Sequence, residues 1–592
     1  MSLPPDHELR GPAIDPGPTC PVTPLGERDG HFHFLDPRGA YRVLSARQLG
    51  SQAELLGLLL GITTWLWTCF PRFATRKIEG ELRMVPVGYS VSAACAWLMD
   101  QCARQPMFGS HIIIRRPGVW PGEDGEPIMH CGDALFINGM FRAAGMRTGN
   151  TIWPADYAVD RPGPPCDAEV GRYIQACTQE YWRFRHGGGA IICLGTTTVA
   201  MLGAWPRWRP SLFIGGDVGG GKSYLLDALR AMCPLHYYTT DTTKAGLEHN
   251  LSGRAMPSFV DEASDQADQR GAQNLLSLIT AATGGEGSKV ARGTSDGKGR
   301  TTQVIGAVIM ASIAPPEMQP QHVARVSVIE LQAPESGEDH RAEMDLLIQF
   351  CQEHRSAILG RVLAGHKRFL LALDMFRDAL ARIGCASRQM DQFGAILAGY
   401  WTLCHDGVPD DREALNLVAA IRDFVQDAGE VAEQSAGRLV VEHLASYRLR
   451  RDHSTEEWPT AELAVRAWES RQDPESGEQL DPGVVAESAQ RDLGRNGMRA
   501  LRADETNGRF GRPPPQRGGS GDGVWIAYTS APVVKIFDGT VWAGQRCRYL
   551  LRSLPSAREL PAGCFIKIGD RTVRKAIWIS RADLLGEMGG DQ

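Results

Sequence analysis

From His31 the chain alternates apolar and polar residues, HFHFLD and then RGAYRVLS, and this period of two predicts a β-hairpin. The run Leu55 to Phe70, LLGLLLGITTWLWTCF, is almost wholly apolar and predicts one buried helix over about 52–70. It falls short of the ~20 residues that a membrane span requires. A second helix is expected from about Ser92 to Gln105, and IIIRR, GVW and IMHCGDALFING read as short strands with glycine turns. The proline-rich break at 161–165 precedes a helix expected over 168–185 and an apolar helix from about Ala190 to Trp205. Short apolar strands are predicted at 211–214, 304–310 and 326–331, and helical spacing of apolar residues runs through 342–440. From about 458 the order is helix (TAELAVRAW), helix (VVAESAQRDLGRNGMRAL) and strand (VWIAYT), which suits a winged-helix module. The insert GRFGRPPPQRGGSGDG would be its wing or a loop. The expected partition is an unfolded tail at 1–27, then domains over 28–188, 189–335, 336–450 and 451–592.

Composition changes this picture little. With 592 residues, 43% apolar and 22% charged, the chain resembles an ordinary soluble protein of about four domains. Its net charge of −6 excludes a basic coat protein, so any nucleic-acid contact must come from local cationic clusters. The 14 cysteines form no C-x-x-C pair and no zinc spacing, and read as buried thiols in a reducing compartment. The polar, proline-rich start has no apolar segment of a signal peptide, so a cytoplasmic location without membrane contact is expected.

The strongest chemical signal follows the 211–214 strand: Gly216-Asp217-Val218-Gly219-Gly220-Gly221-Lys222-Ser223, then Tyr224 and an apolar helix. This is G-x-x-x-x-G-K-[ST] between a strand and a helix, the phosphate-binding loop. Its glycines let backbone N–H groups turn onto phosphates, at a helix N-terminus that favours anions. Lys222 would bridge the β- and γ-phosphates of ATP, and Ser223 would ligate Mg2+. About 40 residues on, the apolar run MPSFV ends in Asp261-Glu262. Asp261 would hold Mg2+ through water, and Glu262 would activate the attacking water. Ser312, after the 304–310 strand, is the candidate γ-phosphate sensor, the alternative being a strand cap. Arg325 is the candidate arginine finger, the alternative being a surface ion pair. Between these, Lys289 to Thr302 reads as a basic β-hairpin whose Lys289, Arg292, Lys298 and Arg300 could track DNA phosphates, or form a solvated loop.

The text WRPSLFIGGDVGGGKS, TTDTTKAGLEHNLSGRAMPSFVDEAS, VARGTSDGKG, VARVSVIEL, SRQMDQFGAILAGYWTL and FDGTVWAGQRCRYLLRSLPSA resembles the helicase/ATPase half of phage and mobile-element primase–helicase proteins. These are relatives of poxvirus-type primase-helicases and of superfamily-three ring ATPases. The resemblance spans roughly residues 20–585. It implies an α/β protein with a P-loop NTPase (AAA+-like) core at 189–335, an α/β N-terminal domain, a helical lid or collar and a C-terminal winged-helix-like domain. It implies an ATP-driven DNA motor in replication of a phage or integrated element, assembled as a homo-oligomer, a hexamer above all, around single-stranded DNA. Duplex origin DNA and a separate primase are further implied partners, because an upstream primase domain has no counterpart here. His322 and Val323 depart from the family's acidic text before the finger, and Arg388 is a candidate second sensor. The competing readings are a P-loop NTPase that remodels proteins or serves defence, and a nucleotide-gated DNA-binding scaffold.

Overall fold

The computed structural model describes residues 19–78, 81–109, 111–240, 244–261, 269–285, 287–293, 299–312, 318, 320–335, 340–433, 436–451, 455–468, 483–502, 522–540, 542–543, 545–552, 554, 556–561 and 563–586. They form two compact units, 1–428 and 429–592.

In the first unit the predicted hairpin pairs His31–Leu35 with Tyr41–Ser45, and Thr23–Arg28 adds a third antiparallel strand. The apolar run that predicted one helix over 52–70 forms two, Gln52–Leu58 and Thr63–Cys69. The break falls at Leu60 and Gly61, which both take positive φ, 51° and 77°. The turn lets Leu55, Leu58, Trp65 and Leu66 all reach one core with Phe34 and Leu98. No described helix is long and apolar enough to cross a membrane.

A five-stranded parallel sheet lies at the centre of this unit, so the fold is mixed α/β. Its order is Tyr237–Thr239, Ser258–Val260, Val308–Ala311, Ser211–Gly216, Val326–Leu331. Ser211–Gly216, the first of these five strands in chain order, is thus flanked by the last two of them. Leu212, Phe213 and Ile214 are all fully buried, as a strand covered on both faces demands. The helix Gly189–Met201 is buried at all thirteen positions and packs against Ser387–Cys404. Glycines permit that approach: a Cβ at Gly195 would stand 2.2 Å from the Ile396 carbonyl oxygen, and one at Gly399 would stand 2.5 Å from that of Gly195. Further helices, Arg341–Ala364, His366–Arg382 and Asp411–Ala420, complete the helical region.

Two expectations are corrected next to the sheet. The helix predicted over 168–185 ends at Tyr181, and Trp182 turns extended (φ −117°, ψ 131°). Residues 182–185 then run antiparallel to the edge strand, with Arg185 N donating to Glu330 O and Gln332 N donating to Arg183 O, both at 2.9 Å. Backbone pairing with the sheet therefore outweighs helix continuation there. The strand predicted over 304–310 begins only at Val308. Val304 instead closes the hairpin of Ser288–Gly293 with Gly299–Val304, and Gly306 (φ 139°) makes the turn between them.

In the second unit, helices Ala436–Ser446, Thr460–Trp468 and Gly483–Arg495 accompany a sheet ordered Met498–Leu501, Gly523–Ile526, Ile577–Ser580, Arg558–Glu559. The second predicted helix stops at Gly497 (φ 78°), and MRAL pairs with GVWI as a strand. The glycine- and proline-rich insert, apart from its last two residues, lies outside the described residues.

Candidate functional site: a phosphate-binding loop at the carboxyl edge of the sheet

The loop after Ser211–Gly216 leads into the helix Lys222–Ala231, so backbone N–H groups and a helix N-terminus converge where the strand ends. Gly216 needs its lack of a side chain: at φ 126° a Cβ would meet Leu331 O at 2.0 Å. Gly221 stands left-handed (φ 79°) as the residue that opens the helix. Asp217 anchors the loop to the neighbouring strand, its N–H donating to Leu331 O (3.0 Å) and its carboxylate accepting from Ala333 N (3.3 Å). Gly220 N donates to Asp217 O at 3.2 Å, while Val218 at the tip is 81% exposed. The Lys222 ammonium curls into the loop, donating to Gly216 O (2.9 Å) and Asp217 O (2.7 Å). Tyr224 is half-buried behind it.

The structure brings Ser223 and Asp261 together. Ser223 Oγ donates to Asp261 Oδ1 at 3.4 Å, although 38 residues separate them. Asp261 follows the strand Ser258–Val260, and its N–H donates to Thr239 O (3.0 Å). A hydroxyl and a carboxylate are the hard oxygen donors that Mg2+ takes, so this pair fits that ion. Ser312 follows the intervening strand, is buried, and donates its N–H to Ile214 O at 3.1 Å. Lys222, Ser223, Asp261 and Ser312 thus share the carboxyl edge, where open α/β sheets bind ligands. Glu262 and Lys298 lie outside the described residues. Lys289, Arg292 and Arg300 stand on the hairpin backbone, Arg292 directly opposite Arg300.

Arg325 lies elsewhere. It precedes Val326–Leu331, and its carbonyl accepts from Ser211 N (2.9 Å) at the start of the Ser211–Gly216 strand. Asp217 meets the other end of that edge strand at Leu331, six residues and so about 20 Å from Arg325 at ~3.3 Å per residue. The Arg325 guanidinium is half-buried, 5.6 Å from the centre of the Trp208 ring, and burial lowers its pKa, with Arg388 adding a like-charge effect. Arg388 therefore accompanies Arg325. It opens the helix Ser387–Cys404, which Gln392 ties to Ser327 Oγ at 2.9 Å.

The sequence reading missed Trp182. It is buried, and its indole N–H donates to Gly221 O at 2.9 Å. A cavity of about 940 Å³ borders the loop, lined by Tyr181, Trp182, Arg183, His340, Arg341 and Met344 besides the loop itself. Tyr181 stacks on His340 at 5.6 Å, and Arg183 pairs with Glu335 at 2.8 Å. No local pattern marks these residues, because their place depends on extended pairing beside the sheet. His130, next to Cys131, spends both ring nitrogens on backbone, Nε2 on Pro154 O (2.8 Å) and Nδ1 on Gly132 N (2.9 Å).

No family model matches this chain. No curated protein matches it either. Among solved structures it is similar to the active helicase Cch of SCCmec type IV, at 11% identity and TM-score 0.49, covering 95% of this chain and 94% of that one. It is also similar to the apo C-terminal region of NrS-1, at 10% identity and TM-score 0.31, covering 72% and 77%. At these values the functional reading rests on the site's own geometry.

Proposed function

We propose that this protein is an ATP-hydrolysing motor that acts on DNA. The observation that carries the reading is the meeting of Ser223 and Asp261 beside the Gly216–Lys222 loop, at the carboxyl edge of the parallel sheet. Backbone N–H groups of 217–222 and the Lys222 ammonium would hold the triphosphate, exchanging the loop carbonyls that Lys222 now contacts for phosphate oxygens. Ser223 and Asp261 would hold Mg2+, which when bound neutralises charge on the β- and γ-phosphates. Glu262, next in sequence to Asp261, would take the proton of the attacking water, and Ser312 would hydrogen-bond the γ-phosphate.

Arg325 stands at the amino end of its strand, the far end from the loop of its own chain, with Arg388 near it. The reading therefore places them in a neighbouring subunit's site, where they would stabilise transition-state charge. Such head-to-tail contacts close into a ring, and a hexamer is the proposed assembly. The 288–304 hairpin would present Lys289, Arg292, Lys298 and Arg300 to single-stranded DNA in the channel. The 429–592 unit would contact duplex DNA. Replication of a phage or integrated element is the proposed setting.

The direct test of the site is steady-state ATP turnover. Lys222→Ala and Asp261→Asn are each expected to lose turnover, with Asp261→Asn regaining part of it at high Mg2+. Unchanged turnover in Asp261→Asn would remove the metal assignment.

A further inference from the structure

Pro71–Ile78 and Glu81–Tyr89 form a two-stranded sheet that gains no third strand among the described residues. Its base is tied down. Ser90 N donates to Phe70 O (2.8 Å), Gln52 Nε2 donates to Tyr89 Oη (3.0 Å), and Tyr89 meets Trp67 edge-on at 6.1 Å. Beyond the base, residues on both faces are largely exposed.

The register sorts the two faces. Phe73 opposite Pro86, Thr75 opposite Met84 and Lys77 opposite Leu82 lie on one. Ala74 opposite Val85, Arg76 opposite Arg83 and Ile78 opposite Glu81 lie on the other. Phe73, Met84 and Leu82 are 50%, 70% and 76% exposed, an unusual outlay of large apolar side chains on an isolated hairpin. Arg76 and Arg83 are like charges directly opposite, an arrangement that weakens a strand pair unless an anion bridges it. Glu81 pairs with Arg83 at 3.2 Å, but no described carboxylate reaches Arg72, Arg76 or Lys77. Across 71–89 stand four cations (Arg72, Arg76, Lys77, Arg83) and two anions (Glu79, Glu81), in a chain of net charge −6.

A thin blade with the Arg76–Arg83 pair on one face and exposed Phe73, Leu82 and Met84, joined by Lys77, on the other matches the chemistry of a nucleic-acid strand. Guanidinium groups take its phosphates, and Phe and Met take the faces of its bases. We infer that the 71–89 hairpin is a second nucleic-acid contact, with Arg76 and Arg83 on the phosphates of a single strand and Phe73 and Met84 against bases. This rests on the DNA-motor reading above.

The test measures binding of a fluorescent oligo-dT strand to the full chain without nucleotide, over a salt series. Arg76→Glu/Arg83→Glu is expected to bind at least ~10-fold more weakly, and its log–log salt slope is expected to fall by about 1.4 for two lost phosphate contacts. ATP turnover without DNA should match wild type, which shows that the fold and the nucleotide site survive. Equal affinity and equal slope would overturn the hairpin assignment and leave the motor reading standing. Failure of wild type itself to bind the strand would overturn both. If Leu82→Ser/Met84→Ser instead lowers the assembly mass while DNA affinity holds, the face belongs to a contact between copies and the assignment is wrong.

Discussion

Replacing Trp182 with phenylalanine isolates one bond in the proposed ATP site. The ring is buried, so an aromatic replacement keeps most of the packing, at the cost of a small void, and removes the indole N–H that donates to Gly221 O at 2.9 Å. Gly221 is the left-handed residue immediately before Lys222 and Ser223, so its carbonyl fixes the direction in which those two side chains leave the loop. A hydrogen bond is worth about 0.5–1.5 kcal/mol net, and a buried acceptor left unpaired costs about 1–3 kcal/mol. If the loop relaxes to relieve that acceptor, ATP binding must restore it, which costs roughly 1–2 kcal/mol, or a ~5–30-fold rise in KM. Steady-state kinetics should show this rise with kcat changed less, because the bond positions the loop and touches no reacting atom. Trp182→Ala serves as the contrast: its cavity should cost ~3–5 kcal/mol of stability and lower Tm strongly. The reasoning is refuted if Trp182→Phe leaves KM at the wild-type value, whatever its Tm, since Trp182 would then be core filling alone.

Two further outcomes follow from the geometry. Arg325→Ala and Lys222→Ala should each abolish turnover, yet a 1:1 mixture should recover activity in about a quarter of its sites if the arginine acts on the neighbouring subunit; a mixture that stays dead refutes action in trans. His33 lies against Phe108 at 3.7 Å and hydrogen-bonds Tyr41 Oη at 2.6 Å, and burial, with His31 contributing, lowers its pKa from 6.5 to about 4. The unfolded chain therefore binds the extra proton between those values, so this contribution to stability is complete above pH 6.5 and is lost as pH falls toward 4. Thermal melts should show Tm falling over that window more steeply in wild type than in His33→Gln, and parallel curves would contradict the assignment.

What could be read from the chain follows how local each signal is. The strand–loop–helix of 211–231 was legible because its glycines, lysine and serine are contiguous and each answers a local backbone demand. Asp261 was legible from an apolar run ending in acid, and its meeting with Ser223 follows from the order of the parallel strands. Three of the misread elements turn on residues with positive φ: Leu60 and Gly61 divide one apolar run into two helices, Gly306 delays a strand, and Gly497 converts helix to strand. Periodicity counts apolar residues and does not see such a bend. Trp182 and the nearness of Arg388 to Arg325 were out of reach for another reason, because both depend on how long stretches of chain fold back on each other.

The most direct test of the central claim is ATP turnover by the wild-type chain with and without single-stranded DNA, with Lys222→Ala as the control. The account predicts turnover in wild type, a several-fold rise when DNA is added, and none in the variant. Turnover that ignores DNA would contradict a DNA motor and favour an ATPase that remodels proteins. ATP bound but not hydrolysed would contradict a motor of any kind.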